Sequence, residues 1–82
     1  MNIASAYYDH DAAEKVSFVK LVLDNGDTHL IRSEEVQTAE EAKADFADPT
    51  FALAIAIFYT PDTPKNVAEW DAKHPNAVKI HG

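Results

Sequence analysis

Cysteine is absent from the 82-residue chain. That excludes disulfide bridges and thiolate metal centres as sources of stability, and it fits a reducing compartment. Glycine occurs only at Gly26 and Gly82, so there is no glycine-rich loop to cradle a phosphate. Basic residues are scarce: seven Lys and Arg stand against fourteen Asp and Glu, a formal net charge of -7. This balance speaks against direct binding to DNA, RNA or an anionic membrane, because the phosphate contribution to such binding requires a basic surface. Long apolar segments are lacking as well. The one uncharged apolar run of any length is Phe51–Tyr59, about half of what a helix needs to cross a bilayer. The N-terminus shows no basic start followed by an apolar segment, as a secretory signal would. The expected location is therefore cytoplasmic, that of the host cell if the protein is viral.

What is present is one domain with room for one core. A core of this size supplies roughly 3–5 kcal/mol of net stability. The negative charge is concentrated. Residues 24–48 carry eight acids (Asp24, Asp27, Glu34, Glu35, Glu40, Glu41, Asp45, Asp48) against Arg32 and Lys43, while residues 49–82 carry three acids and three bases.

The clearest local signal lies in residues 16–32. Val16 to Leu23 reads as a strand, Asn25-Gly26 as a two-residue type I′ turn, and Asp27 to Arg32 as the antiparallel return. This register pairs Leu21 with Leu30, Val22 with His29 and Val19 with Arg32. Upstream, residues 1–14 read as an N-terminal arm or an extra short strand, with Asp9-His10-Asp11 as a turn. The single α+β domain then spans residues 15–82.

Thr38-Ala39-Glu40-Glu41 is a capping box that opens a helix with Ala39, Ala42 and Phe46 on its inner side. That helix must end by Asp48, since Pro49 disfavours helical geometry in the residue before it. In Phe51–Tyr59 large and small residues alternate, which predicts a strand buried on both faces. The rival is a short helix, because Ala and Leu favour helix and Asp48-Pro49 is a start signal. Thr63-Pro64 opens a further helix carrying Val67 and Trp70 inward, His74-Pro75-Asn76 stops it, and Ala77 to His81 alternates as a last strand.

The resulting expectation is a small two-layer α+β sandwich in the order β-hairpin–helix–strand–helix–strand. Its four-stranded mixed sheet would carry two helices on one face. The second apolar face would then be covered by residues 1–14 or by another chain, a homodimer being the commonest form of the latter.

Catalytic and metal-binding patterns are weak. Asp9 and Asp11 flank His10, but further ligands are not at hand, and a solvated turn is the better reading. His74 and His81 have no zinc-ligand spacing and read as a helix stop and a tail residue. No nucleophile is tied to a base and an orienting acid. The expectation is a non-enzyme with neither cofactor nor metal.

Glu41, Asp45 and Asp48 are spaced i, i+4, i+7 and share a helix face, flanked by Glu40, Glu34 and Glu35, with Asp24 and Asp27 at the hairpin tip. Like charges at i, i+4 weaken a helix slightly, so these eight acids are the candidate surface for a protein partner with a basic surface. Small, acidic, cysteine-free and single-domain, the chain is similar in type to phage-encoded inhibitors of host nucleic-acid machinery, anti-CRISPR proteins among them. The similarity carries over no residue roles. It implies an inhibitor that blocks a basic nucleic-acid-binding surface by steric or nucleic-acid-mimic occlusion. The alternative is a structural or assembly subunit, in a virion or a homo-oligomer, held by an apolar sheet face or edge.

Overall fold

A computed structural model describes residues 2–34 and 38–82, apart from the side chains of residues 49, 52, 53 and 56. The chain runs β1 (Ile3–Asp11), β2 (Val16–Leu23), β3 (Thr28–Ser33), α1 (Ala39–Ala47), α2 (Pro49–Phe58), α3 (Pro64–Lys73) and β4 (Val78–His81). The four strands form one sheet in the order β3-β2-β1-β4. The α+β class and the four-stranded sheet are as the sequence predicts. The sheet is antiparallel at every pairing, not mixed, because the fourth strand comes from the N-terminus and not from the central apolar run.

β1 spans nine residues and lies between β2 and β4, so residues 3–11 are part of the sheet and not an arm laid over it. Its buried positions alternate: Ala6 and Tyr8 face inward, the period-two pattern of a sheet strand. Asp9, His10 and Asp11 do not form a turn. They pair with Phe18, Ser17 and Val16 across the ladder. The turn follows at residues 12–15, where an Asp11 carboxylate oxygen accepts from the Ala13 and Glu14 amides at 2.9 and 3.2 Å. Lys15 takes the left-handed conformation that closes it, with φ 57°.

The β2–β3 hairpin forms with a different turn from the one predicted. The Gly26 amide donates to the Leu23 carbonyl at 3.0 Å and the Leu23 amide to that of Asp27 at 2.9 Å, so the loop has three residues and Gly26 alone takes a positive φ, 92°. This is a type I turn with a glycine bulge. Asn25 stabilises it by accepting from the Asp27 amide at 2.9 Å. The extra loop residue shifts the register by one, pairing Leu21 with His29, Lys20 with Leu30 and Val19 with Ile31. A one-residue shift exchanges the two faces of β3, and it puts His29 and Ile31 on the core side. Nothing lies near a Cβ built on Gly26, so Gly26→Ala should cost only the left-handed backbone penalty, about 1–2 kcal/mol. Gly26→Asn should cost less, as chemical denaturation will show.

The run predicted as a central strand is helix α2. Asp48 ends α1 and begins α2, its carboxylate accepting from the Thr50 amide at 2.9 Å, with proline in the first turn. The local start signal wins because β1 already fills the central sheet position that an apolar strand would need. α1 begins as predicted, the Thr38 hydroxyl accepting from the Glu41 amide at 3.1 Å. α3 is capped in the same way by Thr63, and at its C-terminus the His74 amide donates a hydrogen bond to the Trp70 carbonyl.

The helices cover both sheet faces, not one. On the first, Ala42 and Phe46 of α1 pack on Ala6, Tyr8, Val19, Leu21, Leu23 and Ile80. Residues adjacent in a strand point to opposite sides, so Tyr7, Asp9, Phe18 and Lys20 face the other way, where α3 lies. There the His74 ring sits 4.5 Å from those of Phe18 and Trp70, and its Nδ1 is 2.7 Å from the Asp9 carboxylate. Lys20 breaks the apolar pattern of this face at little cost. Its stem lies in the layer, its ammonium is 4.7 Å from the Tyr7 ring centroid, and it pairs with Asp71 at 2.5 Å. The face that the sequence leaves open to an N-terminal arm or a partner is thus closed by α3. Among the described residues no helix is long and apolar enough to cross a membrane.

Candidate docking surface

α2 carries no charged residue, and the uncharged stretch continues from Pro49 to Pro61. Two of its described side chains attach it to the fold. The Phe51 ring meets Phe46 edge-on at 5.3 Å, and Ile55 packs at the margin of the core. The last turn projects outward, leaving Ile57 75%, Phe58 81% and Tyr59 62% exposed. Exposed apolar residues scattered singly need no explanation, whereas these three leave large apolar side chains in solvent together at the end of one uncharged helix, and exposed apolar surface of this kind marks interaction sites. The helix ends here because the Tyr59 amide bonds back to Ile55 and Pro61 follows.

Alternation in residues 51–59 conceals this surface, since it casts the same residues as a buried strand. The signal that could have found it is Asp48-Pro49, an N-cap followed by proline at the first helical position.

The eight acids proposed as a partner surface divide by location. Glu40, Glu41, Asp45 and Asp48 are all exposed on or beside α1, the helix that adjoins α2 through Asp48. Glu40 and Glu41 occupy the first turn, where the helix dipole favours acids. Asp45 stands near the other end, which has no basic residue in its last turn and where the dipole disfavours an acid. Glu34 is tied to Arg32 in an ion pair. Asp24 and Asp27 do local structural work at the hairpin: Asp24 accepts from the Asn2 amide at 3.1 Å, and Asp27 contacts the Asn25 side-chain amide at 3.1 Å. Glu35 lies outside the described residues. Four of the eight acids thus lie on or beside α1, the helix that leads into α2, and two are in the hairpin loop.

Asp9 and Asp11, the weak metal candidates, are occupied by His74 and by the turn amides. Among the described residues no group of three or more His, Asp or Glu is placed to hold a metal ion.

No protein-family model matches the chain, and no curated protein or solved structure shows significant similarity to it.

Proposed function

We propose that the protein is a protein-binding module that docks through α2, with the acids of α1 alongside, on a partner whose apolar groove is flanked by basic groups. The observation that carries this reading is the exposed, uncharged end of α2. Helix-in-groove recognition uses such a surface: the apolar residues anchor in the partner's groove. Glu40, Glu41, Asp45 and Asp48 beside it would speed encounter and reject acidic surfaces. A module of this size that covers a basic groove acts as an inhibitor by occlusion, competing with nucleic acid where the groove binds it.

The test compares three proteins in pull-downs eluted with a salt gradient: the parent, Ile57→Glu/Phe58→Glu, and Glu41→Lys/Asp45→Lys. Central apolar anchors dominate binding energy, so the first double variant should lose at least about a hundredfold in affinity. It should keep the parent's thermal midpoint, because the replaced side chains are exposed. The second should bind more slowly and with a weaker salt dependence. A partner retained equally by the first variant would overturn the reading. Mass in solution by light scattering, at low salt and at roughly 0.5 M where surface charge is screened, checks the competing assembly role. A dimer abolished by Ile57→Glu/Phe58→Glu would assign α2 to a second copy of the chain.

A further inference from the structure

β3 is an edge strand of the sheet, and part of its outer edge is open. In an antiparallel ladder the backbone groups of successive residues point alternately toward and away from the neighbouring strand. The Leu30 amide donates to the Asp62 carboxylate at 2.9 Å, and the Thr28 carbonyl accepts from the Asp62 amide at 2.8 Å. Residues 28, 30 and 32 therefore turn their amides and carbonyls away from β2, and Asp62 occupies the outer edge at Thr28 and Leu30. Among the described residues, nothing bonds to the Leu30 carbonyl or to the amide and carbonyl of Arg32.

A cavity of about 280 Å³ accompanies this open stretch, lined by Leu30, Ile31 and Arg32 with Ile55 and Tyr59 across from them. Successive side chains of a strand point to opposite faces, so a cavity that touches three in a row lies along the strand's edge. β2 occupies the other edge. The cavity is thus on the outer one, where Asp62 also lines it.

We propose that this edge takes an extended segment of another protein as a fifth strand, antiparallel to β3 and opposite residues 30–32. Strand addition of this kind is a general mode of peptide recognition, and open edges are its templates. The partner residue opposite Arg32 donates to its carbonyl and accepts from its amide, and the residue two further on donates to the Leu30 carbonyl. The residue between them lies opposite Ile31 on the core face, where the cavity accepts a β-branched apolar side chain. The stretch runs between two acids, Glu34 and Asp62, with Arg32 as its one base, so a segment with bases at its ends is complementary. A second copy of the chain is not. Two-fold pairing about Arg32 would set two Arg32 side chains directly opposite each other, and each copy carries a net charge of -7. The inference does not depend on the docking role of α2.

The experiment is an NMR titration of the ¹⁵N-labelled protein with acetyl-Lys-Thr-Thr-Val-Thr-Lys-amide, whose second threonine falls opposite Arg32 and whose valine falls opposite Ile31. The expected result is saturable binding with a dissociation constant below about 1 mM, with shifts centred on β3. The Arg32 amide, open to exchange in the unbound protein, should become protected. Methylating the nitrogen of the second threonine removes a donor to β3 and should weaken binding at least about tenfold. Methylating the valine nitrogen, which points away from β3, should be tolerated. Equal sensitivity at the two positions, or no saturable response to the parent peptide, overturns the proposal.

Arg32→Pro removes the outward amide and no bond to β2, a change that the open side of an edge strand accommodates. It should abolish binding with the thermal transition retained, whereas Arg32→Ala should keep binding, because the backbone carries it. Should the proline variant not fold, the two methylated peptides decide alone. Ile57→Glu/Phe58→Glu should bind the peptide as the parent does. Loss of binding there would put the peptide on α2 and overturn the inference. A dimer of the parent that Arg32→Pro dissolves would do the same, since the occupant of the edge would then be a second copy.

Discussion

Trp70→Ala should cost about 3–5 kcal/mol, the range for deleting a buried aromatic side chain, and should leave most of the population unfolded at room temperature. A domain of this length has a total stability of roughly 4–12 kcal/mol at the usual values per residue, and a core this small sits at the low end. Trp70 is the buried residue of α3. Its ring contacts His74 and lies 5.5 Å from the Lys20 ammonium, so its removal takes away packing between α3 and the second face of the sheet. Trp70→Phe should behave quite differently. The indole Nε1 is buried without a hydrogen-bond partner, and replacing it with carbon relieves a desolvation penalty that partly offsets the lost volume. A net loss within about 1.5 kcal/mol is expected, on the scale of a modest change of shape in a core. Urea denaturation followed by circular dichroism checks both. If Trp70→Ala proves no more harmful than a surface substitution, α3 does not close that face.

Phe46→Ala is the second large effect, again about 3–5 kcal/mol. Phe46 is the large side chain that α1 puts into the core beside Ala42, and its ring meets the Phe51 ring of α2 edge-on. Its loss removes core packing and the Phe51 contact of α2 in a single step. Phe51→Ala keeps the core and removes only the edge-to-face pair, for which about 0.5–1.5 kcal/mol is typical beyond area. The two variants should therefore separate global from local stability. Phe46→Ala should lower the unfolding midpoint for every amide. Phe51→Ala should speed hydrogen exchange mainly in α2, where the lost contact lies. Equal losses in the two would mean that α2 is as deeply rooted as α1.

The local elements were well marked in the residues. Thr38 and Thr63 cap their helices because a hydroxyl at that position reaches an amide two or three residues on, and that chemistry is complete within one turn. Asn25-Gly26 marks a reversal for the same reason. The outcome less accessible to local reading is the loop length. Two-residue and three-residue turns both suit Asn-Gly, and the choice between them decides whether His29 or Leu30 enters the core.

The site was harder to read than the fold class. The acids of α1 are exposed where a helix with Ala42 and Phe46 inward must put them. The apolar half of the surface was hidden. Residues 51–59 satisfy the strand pattern and the helix pattern alike, and a short apolar run cannot decide between them. Burial was expected there because burial is the usual fate of such a run.

Composition and local chemistry thus determined an acidic α+β fold, the starts and stops of α1 and α3, and the existence of the β2–β3 hairpin, since each depends on residues within a few positions of one another. Tertiary structure decided which segment occupies the middle of the sheet, and with it most of what distinguishes this protein. β1 brings Ala6 and Tyr8 into register with Leu21 and Val19, a pairing across separate strands that no local window contains. Once β1 holds that position, the run at 51–59 has no place in the sheet. Its backbone must then satisfy its own hydrogen bonds as a helix, and its apolar end is left facing solvent.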